Sequence, residues 1–212
     1  MRLDLWLVKN GFFKTRSRAK IAIRMGLVKV NGQTVTRPSA EISEDAVIEV
    51  LDDKPAGYWK LKELDEKFRI FRGGETVLDL GSSAGGFLLY ASERARFVYG
   101  IEFSKEFEDL LREIEGKREN VRVFIDDAFK FDVERLESVD VILNDLTLPF
   151  SSSMIALKRF LPKLKPEGKI LFVHKLNKKG EANFADFEVL GFEKSMDKRE
   201  VYYLLRPKTV QG

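Results

Sequence analysis

The stretch Leu78-Asp79-Leu80-Gly81-Ser82-Ser83-Ala84-Gly85-Gly86-Phe87 decides how this chain folds. Val77 to Leu80 is a short apolar run of the kind buried in a sheet, and Gly81 to Gly86 is a glycine-rich turn leading into a helix near Phe87. Glycines let a backbone approach a ligand closely, and the N-terminus of the next helix carries partial positive charge. Ligands of open parallel sheets bind outside the carboxyl ends of the strands. The stretch therefore predicts a nucleotide-cofactor loop built from Asp79, Gly81, Ser83, Gly85, Gly86 and Phe87.

Strands and helices alternate on either side of this loop. The apolar patterning predicts strands at Thr76–Leu80, Phe97–Glu102, Val121–Asp126, Val139–Asn144, Lys169–His174, Phe192–Met196 and Val201–Leu205. It predicts helices near Phe87–Glu93, Lys105–Glu115, Ser153–Leu164 and Ala182–Leu190. Near-continuous apolar strands joined by helices imply a mostly parallel sheet covered on both faces. Only a few residues separate the last two strands, so they form a hairpin. The result is an α/β fold with a seven-stranded, mostly parallel sheet and one antiparallel strand, which resembles the class I (Rossmann-like) methyltransferase pattern.

The second strand ends in Glu102, followed by Phe103, and the third in Asp126-Asp127-Ala128. A carboxylate at the Glu102 position would accept hydrogen bonds from both ribose hydroxyls of a nucleoside. Asp127 is placed to bind the adenine amino group, or Ala128 to pack against the ring. The loop is not G-x-G-x-x-G, because position 83 is Ser. Asp79 and the acidic pair at the third strand end fit S-adenosyl-L-methionine better than a dinucleotide.

Four further residues lie at element edges. Asp145 and Lys175 end neighbouring apolar runs, Glu200 opens the returning strand, and Lys60 lies on an amphipathic helix ahead of the first strand, with Lys62 competing for its role. All belong to the rim that carries the cofactor loop, where Asp145 also borders the cofactor. A partly desolvated lysine beside a second lysine has its pKa pulled down, and nearby carboxylates oppose that shift. Such a cluster suits proton handling at a hydroxyl. A ribose 2′-hydroxyl needs such help, and a methyl sulfonium is already activated without a metal.

The first fifty residues read as a separate α+β unit. A helix around Leu3–Lys9 stops at Gly11, and a second begins at Thr15-Arg16-Ser17-Arg18-Ala19-Lys20, with Thr15 or Ser17 as its cap. Leu27 to Val35 forms a hairpin about the Asn31-Gly32 turn, and Ala46–Leu51 closes the unit. Net charge over the 212 residues is only +3, yet residues 1 to 37 carry nine Lys and Arg side chains against the single acid Asp4. That local bias is the mark of a polyanion-binding face. Residues 52–57, with Pro55 and Gly57, fit a linker to a second domain over 58–212.

Other classes are excluded by composition. There is no cysteine, so there is no disulfide and no thiolate metal site, and the lone His174 cannot build a zinc centre. No metal is expected. No run approaches the roughly 20 apolar residues that span a bilayer, and the start lacks a signal-peptide core, so a cytoplasmic protein without a membrane partner is expected.

Arg2-Leu3-Asp4 with Leu7, the Thr15–Lys20 segment and Gly26-Leu27-Val28-Lys29-Val30-Asn31-Gly32 together resemble the S4 RNA-binding domain. That resemblance implies contacts with structured RNA through Arg2, Thr15, Arg16, Arg18, Lys20, Arg24, Lys29 and Asn31. Farther on, Lys60-Leu61, Asp79-Leu80-Gly81 with Gly85-Gly86-Phe87, Asn144-Asp145, Val173-His174-Lys175 and Arg199-Glu200-Val201-Tyr202 resemble FtsJ-like ribose 2′-O-methyltransferases. The match implies that Lys60, Asp145, Lys175 and Glu200 are a catalytic tetrad. An S4 domain ahead of an FtsJ-like domain is the layout of the hemolysin A-like (TlyA-type) rRNA methyltransferases. The activity implied is S-adenosyl-L-methionine-dependent methylation of a ribose 2′-oxygen in structured RNA, with rRNA or a ribosomal subunit as partner. A non-catalytic RNA-binding factor with the same fold is the alternative.

Overall fold

The computed structural model describes residues 1–13, 15–24, 26–51, 54–176, 178, 181–195 and 199–208, with the side chains of residues 17, 18 and 21 left out. Helices α1 (Leu3–Lys9) and α2 (Arg16–Arg24) pack on a small antiparallel sheet of β1 (Val28–Val30), β2 (Gln33–Thr34) and β3 (Ile48–Val50), ordered β2-β1-β3. Leu3, Leu7, Ala19, Ile23 and Val28 are wholly buried in its core. Asn31 and Gly32 have φ of 50° and 77°. Two consecutive left-handed residues make the hairpin turn whose twist matches the strands, which is why Asn-Gly stands there.

The larger unit begins with α3 (Ala56–Phe68), inside the stretch that reads as a linker, and Asp52 and Asp53 of that stretch lie outside the described residues. There follow β4 (Thr76–Leu80), α4 (Gly86–Ser92), β5 (Phe97–Glu102), α5 (Glu108–Lys117), β6 (Val121–Ile125), β7 (Val139–Asn144), α6 (Phe150–Phe160), β8 (Leu164–Lys175), β9 (Phe187–Lys194) and β10 (Glu200–Pro207). The sheet order is β6-β5-β4-β7-β8-β10-β9. Every pairing is parallel except those that β10 makes with β8 and β9. β10 is thus the single antiparallel strand, slotted between β8 and β9. Apolar clusters lie on both sheet faces, one including Leu61, Leu88, Tyr90 and Leu111, the other Phe131, Leu157, Phe160 and Phe172. This double cover explains why β4 is buried at all five positions.

One expected element is absent. Residues 182–190 do not form a helix; the chain runs irregularly to a turn at 185–186 and enters β9 at Phe187. The Asn183 side chain accepts the Ala185 N–H at 3.1 Å, and the Phe187 N–H donates to the Phe184 carbonyl at 2.9 Å. Phe184 meets Phe150 and Phe172 edge-on, and Phe187 is buried. The spacing of three between these rings belongs to a turn that plugs the core, not to a helical face. β8 also starts five residues before Lys169 and β9 five before Phe192. Met196, the expected end of β9, lies outside the described residues. Among the described residues, no helix is long and apolar enough to cross a membrane.

Candidate active site

Parallel strands end on one rim, and β7 and β8 deliver Asp145 and Lys175 there. In the antiparallel register Glu200 lies directly opposite Lys175. Lys60 enters from the second turn of α3, which Leu61 and Leu64 anchor in the core. The four side chains close into a square in which each carboxylate bridges both lysines. Lys60 Nζ donates to Asp145 Oδ2 at 2.5 Å and to Glu200 Oε2 at 3.4 Å. Lys175 Nζ donates to Asp145 Oδ1 at 2.5 Å and to Glu200 Oε1 at 2.6 Å. The Tyr202 hydroxyl adds a bond to Glu200 Oε2 at 2.9 Å.

All four side chains are only 11–17% exposed, so their charges are poorly screened. Burial presses the Lys60 ammonium toward losing its proton, but the charges of Asp145 and Glu200 and their hydrogen bonds more than offset it. Its pKa is raised. Burial likewise favours the neutral acids, and the two lysines reverse this, so Asp145 and Glu200 lie below their ordinary values. Of the two opposed effects on a lysine in this cluster, the carboxylates prevail at Lys60. The competing Lys62 points away, its ammonium 5.3 Å from the Trp59 ring centre.

The tetrad forms part of the wall of a cleft of about 590 Å³. Of the residues expected around a cofactor, Gly81, Ser83, Gly86, Phe87, Glu102, Phe103, Asp126, Asp127, Ala128 and Asp145 line it. Glu102 is held by two backbone donors, Ser83 N–H to Oε2 and Ser104 N–H to Oε1, each at 2.7 Å. Ser83 itself is left-handed, with φ of 48°. Asp126 Oδ1 accepts the Asp127 N–H at 2.7 Å, and Asp127 Oδ1 accepts the Phe129 N–H at 2.9 Å.

Two expected residues do not line the cleft. A side chain at Gly85 would put its Cβ 2.3 Å from Ile114 Cδ1, so this glycine permits helix packing. Asp79 is fully buried behind the turn, and neither of its carboxylate oxygens has a hydrogen-bond partner. The Ser82 hydroxyl, at 3.4 Å, donates to the Asp79 main-chain carbonyl. Burial pushes the Asp79 carboxyl up to about 8. Gly86 lines the cleft and also lets α4 meet α3, since its Cβ would lie 2.7 Å from Gly57 Cα.

Other lining residues were not anticipated: Pro55, Ala56 and Gly57, Phe107, Phe129, and Leu146, Thr147 and Leu148. The last three directly follow Asp145, so the strand-end rule that found Asp145 extends to them. Phe103 is 75% exposed at this edge.

The basic N-terminal positions fall into distinct settings. Buried Asp4 accepts from Arg2 Nε at 3.0 Å and from Arg16 at 3.0 Å, fixing two half-exposed guanidiniums side by side. Burial would raise the Asp4 pKa, but hydrogen bonds from Arg2 and Arg16 bring it below its ordinary value. Arg24 pairs across the domains with Glu106 at 3.2 Å. The Asn31 side chain accepts the Val47 N–H at 2.9 Å, a bond that ties the hairpin turn to the segment before β3. Lys20 and Lys29 are half-buried, and Thr15 is exposed, its carbonyl accepting the Ala19 N–H. The Arg18 side chain lies outside the described residues.

Residues 56–202 match the FtsJ-like methyltransferase family, and residues 1–48 match the S4 domain. The chain belongs to the FtsJ-like methyltransferase family. Among curated relatives, it is 32% identical over 91 residues to the 16S/23S rRNA (cytidine-2′-O)-methyltransferase TlyA of Mycobacterium tuberculosis, covering 41% of this chain and 34% of that one. It is 36% identical over 107 residues to Hemolysin A of Brachyspira hyodysenteriae, covering 48% and 44%. The matched part thus spans about a third to under half of these relatives' length. A solved structure of a candidate hemolysin from Streptococcus thermophilus covers 99% of this chain and 89% of its own, with a TM-score of 0.65 and 18% identity. At that identity the likeness speaks for the fold of this FtsJ-like chain.

Proposed function

We propose that this FtsJ-like protein is an S-adenosyl-L-methionine-dependent methyltransferase of ribose 2′-hydroxyls in structured RNA. Its substrate is rRNA, free or in a ribosomal subunit, and its place of action the cytoplasm. The single observation that carries the reading is the closed square of Lys60, Asp145, Lys175 and Glu200 in the wall of a nucleoside-sized cleft. TlyA of Mycobacterium tuberculosis, by its name an rRNA 2′-O-methyltransferase, supports the choice of substrate.

The residues present fit the cofactor. Asp79, with two unpartnered oxygens buried behind the turn, stands out of direct reach of the cleft and would act on a bound group only through the backbone it supports. A side chain at Gly81 would meet Leu146 at 3.1 Å and the Asp145 carbonyl at 3.3 Å, so only a bare backbone leaves that space open. Glu102 would take the ribose hydroxyls, Asp127 or Ala128 the adenine edge, and the bare Gly81 backbone the amino acid end. When bound, the cofactor supplies an electrophilic methyl group on a sulfonium.

The protein's own part is to place and deprotonate the hydroxyl. Lys60, held charged by two carboxylates, stabilises the negative charge that develops on the 2′-oxygen. Asp145 and Glu200 each hold both lysine side chains, so Lys60 and Lys175 lie side by side in the cleft wall. Lys175 Nζ orients the hydroxyl and takes its proton, which requires Lys175 in its neutral form at that step. The S4 module holds the RNA through the paired guanidiniums of Arg2 and Arg16, which can grip phosphates without reading bases. Nuclease digestion and mass analysis of rRNA after incubation with the protein and labelled cofactor test the reading. A labelled 2′-O-methyl nucleoside is expected; label on a base, or none, would overturn it.

A further inference from the structure

We propose that Trp59, flanked by Lys54 and Lys62, is a stacking platform for an unpaired nucleotide next to the one whose ribose enters the cleft; this rests on the reading above that the substrate is RNA. The sequence places Tyr58 and Trp59 together just ahead of Lys60, and the structure separates their roles. Tyr58 is 6% exposed, its hydroxyl bonded to Glu93 at 2.7 Å and its ring edge-on to Tyr90. Trp59 is 42% exposed.

Exposure of one ring is ordinary in itself; what sets Trp59 apart is the company it keeps. Its surroundings are built. The buried Tyr58 ring meets the indole edge-on, with centres 5.1 Å apart, and so limits its movement. The Lys62 and Lys54 ammoniums lie 5.3 and 5.8 Å from the indole centre. Lys54 also sits 4.0 Å over the Tyr58 ring.

A part-exposed indole with two ammoniums over it can take a base on the ring as the long lysine stems swing outward to its phosphates. Its position suits the substrate. Pro55, Ala56 and Gly57, the turn before it, line the cleft, and Lys60, the residue after it, belongs to the tetrad. One residue of helix turns by about 100°, so the indole lies beside the cleft mouth and not inside it. A strand leaving the cleft past Gly57 and Lys60 is then within reach of Trp59. A protein partner would need a wider apolar surface than one ring between two lysines.

The chain has two tryptophans, so Trp6→Phe leaves Trp59 as the sole indole and keeps the aromatic contact with Phe12. Titrating this variant with a short single-stranded oligoribonucleotide should quench its fluorescence. The same oligomer made abasic should not. Trp59→Ala should weaken binding of an rRNA fragment by about 5- to 150-fold, and Trp59→Phe by much less. Replacing Lys54 and Lys62 with Ala should lower the log–log salt slope by about 1.4. Calorimetry of the same variants with S-adenosyl-L-methionine should show unchanged affinity. Equal RNA affinity in Trp59→Ala, or a fall in thermal stability without a fall in RNA affinity, would overturn the proposal. Loss of methyl transfer in the unmodified protein, with quenching retained, would instead overturn the enzymatic reading alone.

Discussion

Replacing Asp145 with Asn tests the energetics of the tetrad. The wild-type square balances two ammoniums with two carboxylates. Asp145 supplies one oxygen to each lysine at 2.5 Å, whereas Glu200 reaches Lys175 at 2.6 Å and Lys60 only at 3.4 Å. Asp145→Asn leaves two cations sharing one acid, with Lys60 on the longer contact. Removing one partner of a fully buried pair costs about 3–5 kcal/mol. The residual exposure of these side chains lets some solvent in, so a loss of roughly 2–3 kcal/mol is expected. At about 2–4 °C per kcal/mol for a chain of this size, the midpoint should fall by roughly 4–12 °C.

The pH dependence has a definite sign. Asp145 and Glu200 have lowered folded-state pKa values, against ordinary values of 3.8 and 4.5, so their contribution is present above those values. It is lost as pH falls through the folded values. Lys60 is raised from 10.5, so its share persists below that pH and is lost as pH rises through its folded value. Thermal unfolding followed by circular dichroism should show the full gap between wild type and variant from about pH 5 to about pH 10, closing in strong acid. Equal midpoints across that window, or a gap that widens in acid, would refute this account of the square.

Two further substitutions probe the cofactor wall. Asp79, held protonated up to about 8 by burial, binds a proton in the folded state that the unfolded chain has released above its ordinary 3.8. Stability therefore falls as pH rises between those values, and Asp79→Asn should unfold at higher temperature than wild type at pH 8, with the gain shrinking toward pH 4. Glu102→Ala should raise the cofactor dissociation constant by about tenfold or more in calorimetry, since a charged acceptor to two hydroxyls contributes about 1.5–3 kcal/mol. An unchanged constant would move the ribose contact to another acid.

The parts of the fold legible in the sequence were those written in continuous apolar runs. Thr76–Leu80, Phe97–Glu102 and Val139–Asn144 appear with the boundaries their patterning implies, because strands buried on both faces have no other composition available. Strand ends then place Asp145, Lys175 and Glu200 on one rim, and the structure brings all three together with Lys60. What patterning cannot reach is tertiary. Lys60 and Lys62 lie two positions apart on one helix, and only the packing of α3 decides which faces the acids. Gly85 looks like a ligand-binding glycine but makes room for Ile114. The bond by which Arg16 reaches buried Asp4, and through it Arg2, spans twelve positions. The segment 182–190 misleads because Phe184 and Phe187 satisfy a helical spacing while filling a gap in the core.

Lys175 provides the most direct test of the central claim that this tetrad activates a ribose hydroxyl. Single-turnover methylation of an rRNA fragment should be compared for wild type, Lys175→Ala and Lys175→Arg, with RNA and cofactor binding measured alongside. Lys175→Ala should slow transfer by roughly 10²–10⁴-fold while both ligands still bind. Lys175→Arg should not restore it, because a guanidinium keeps its proton and has a different shape. Methyl transfer by Lys175→Ala at the wild-type rate, or a product methylated on a base, would contradict the account.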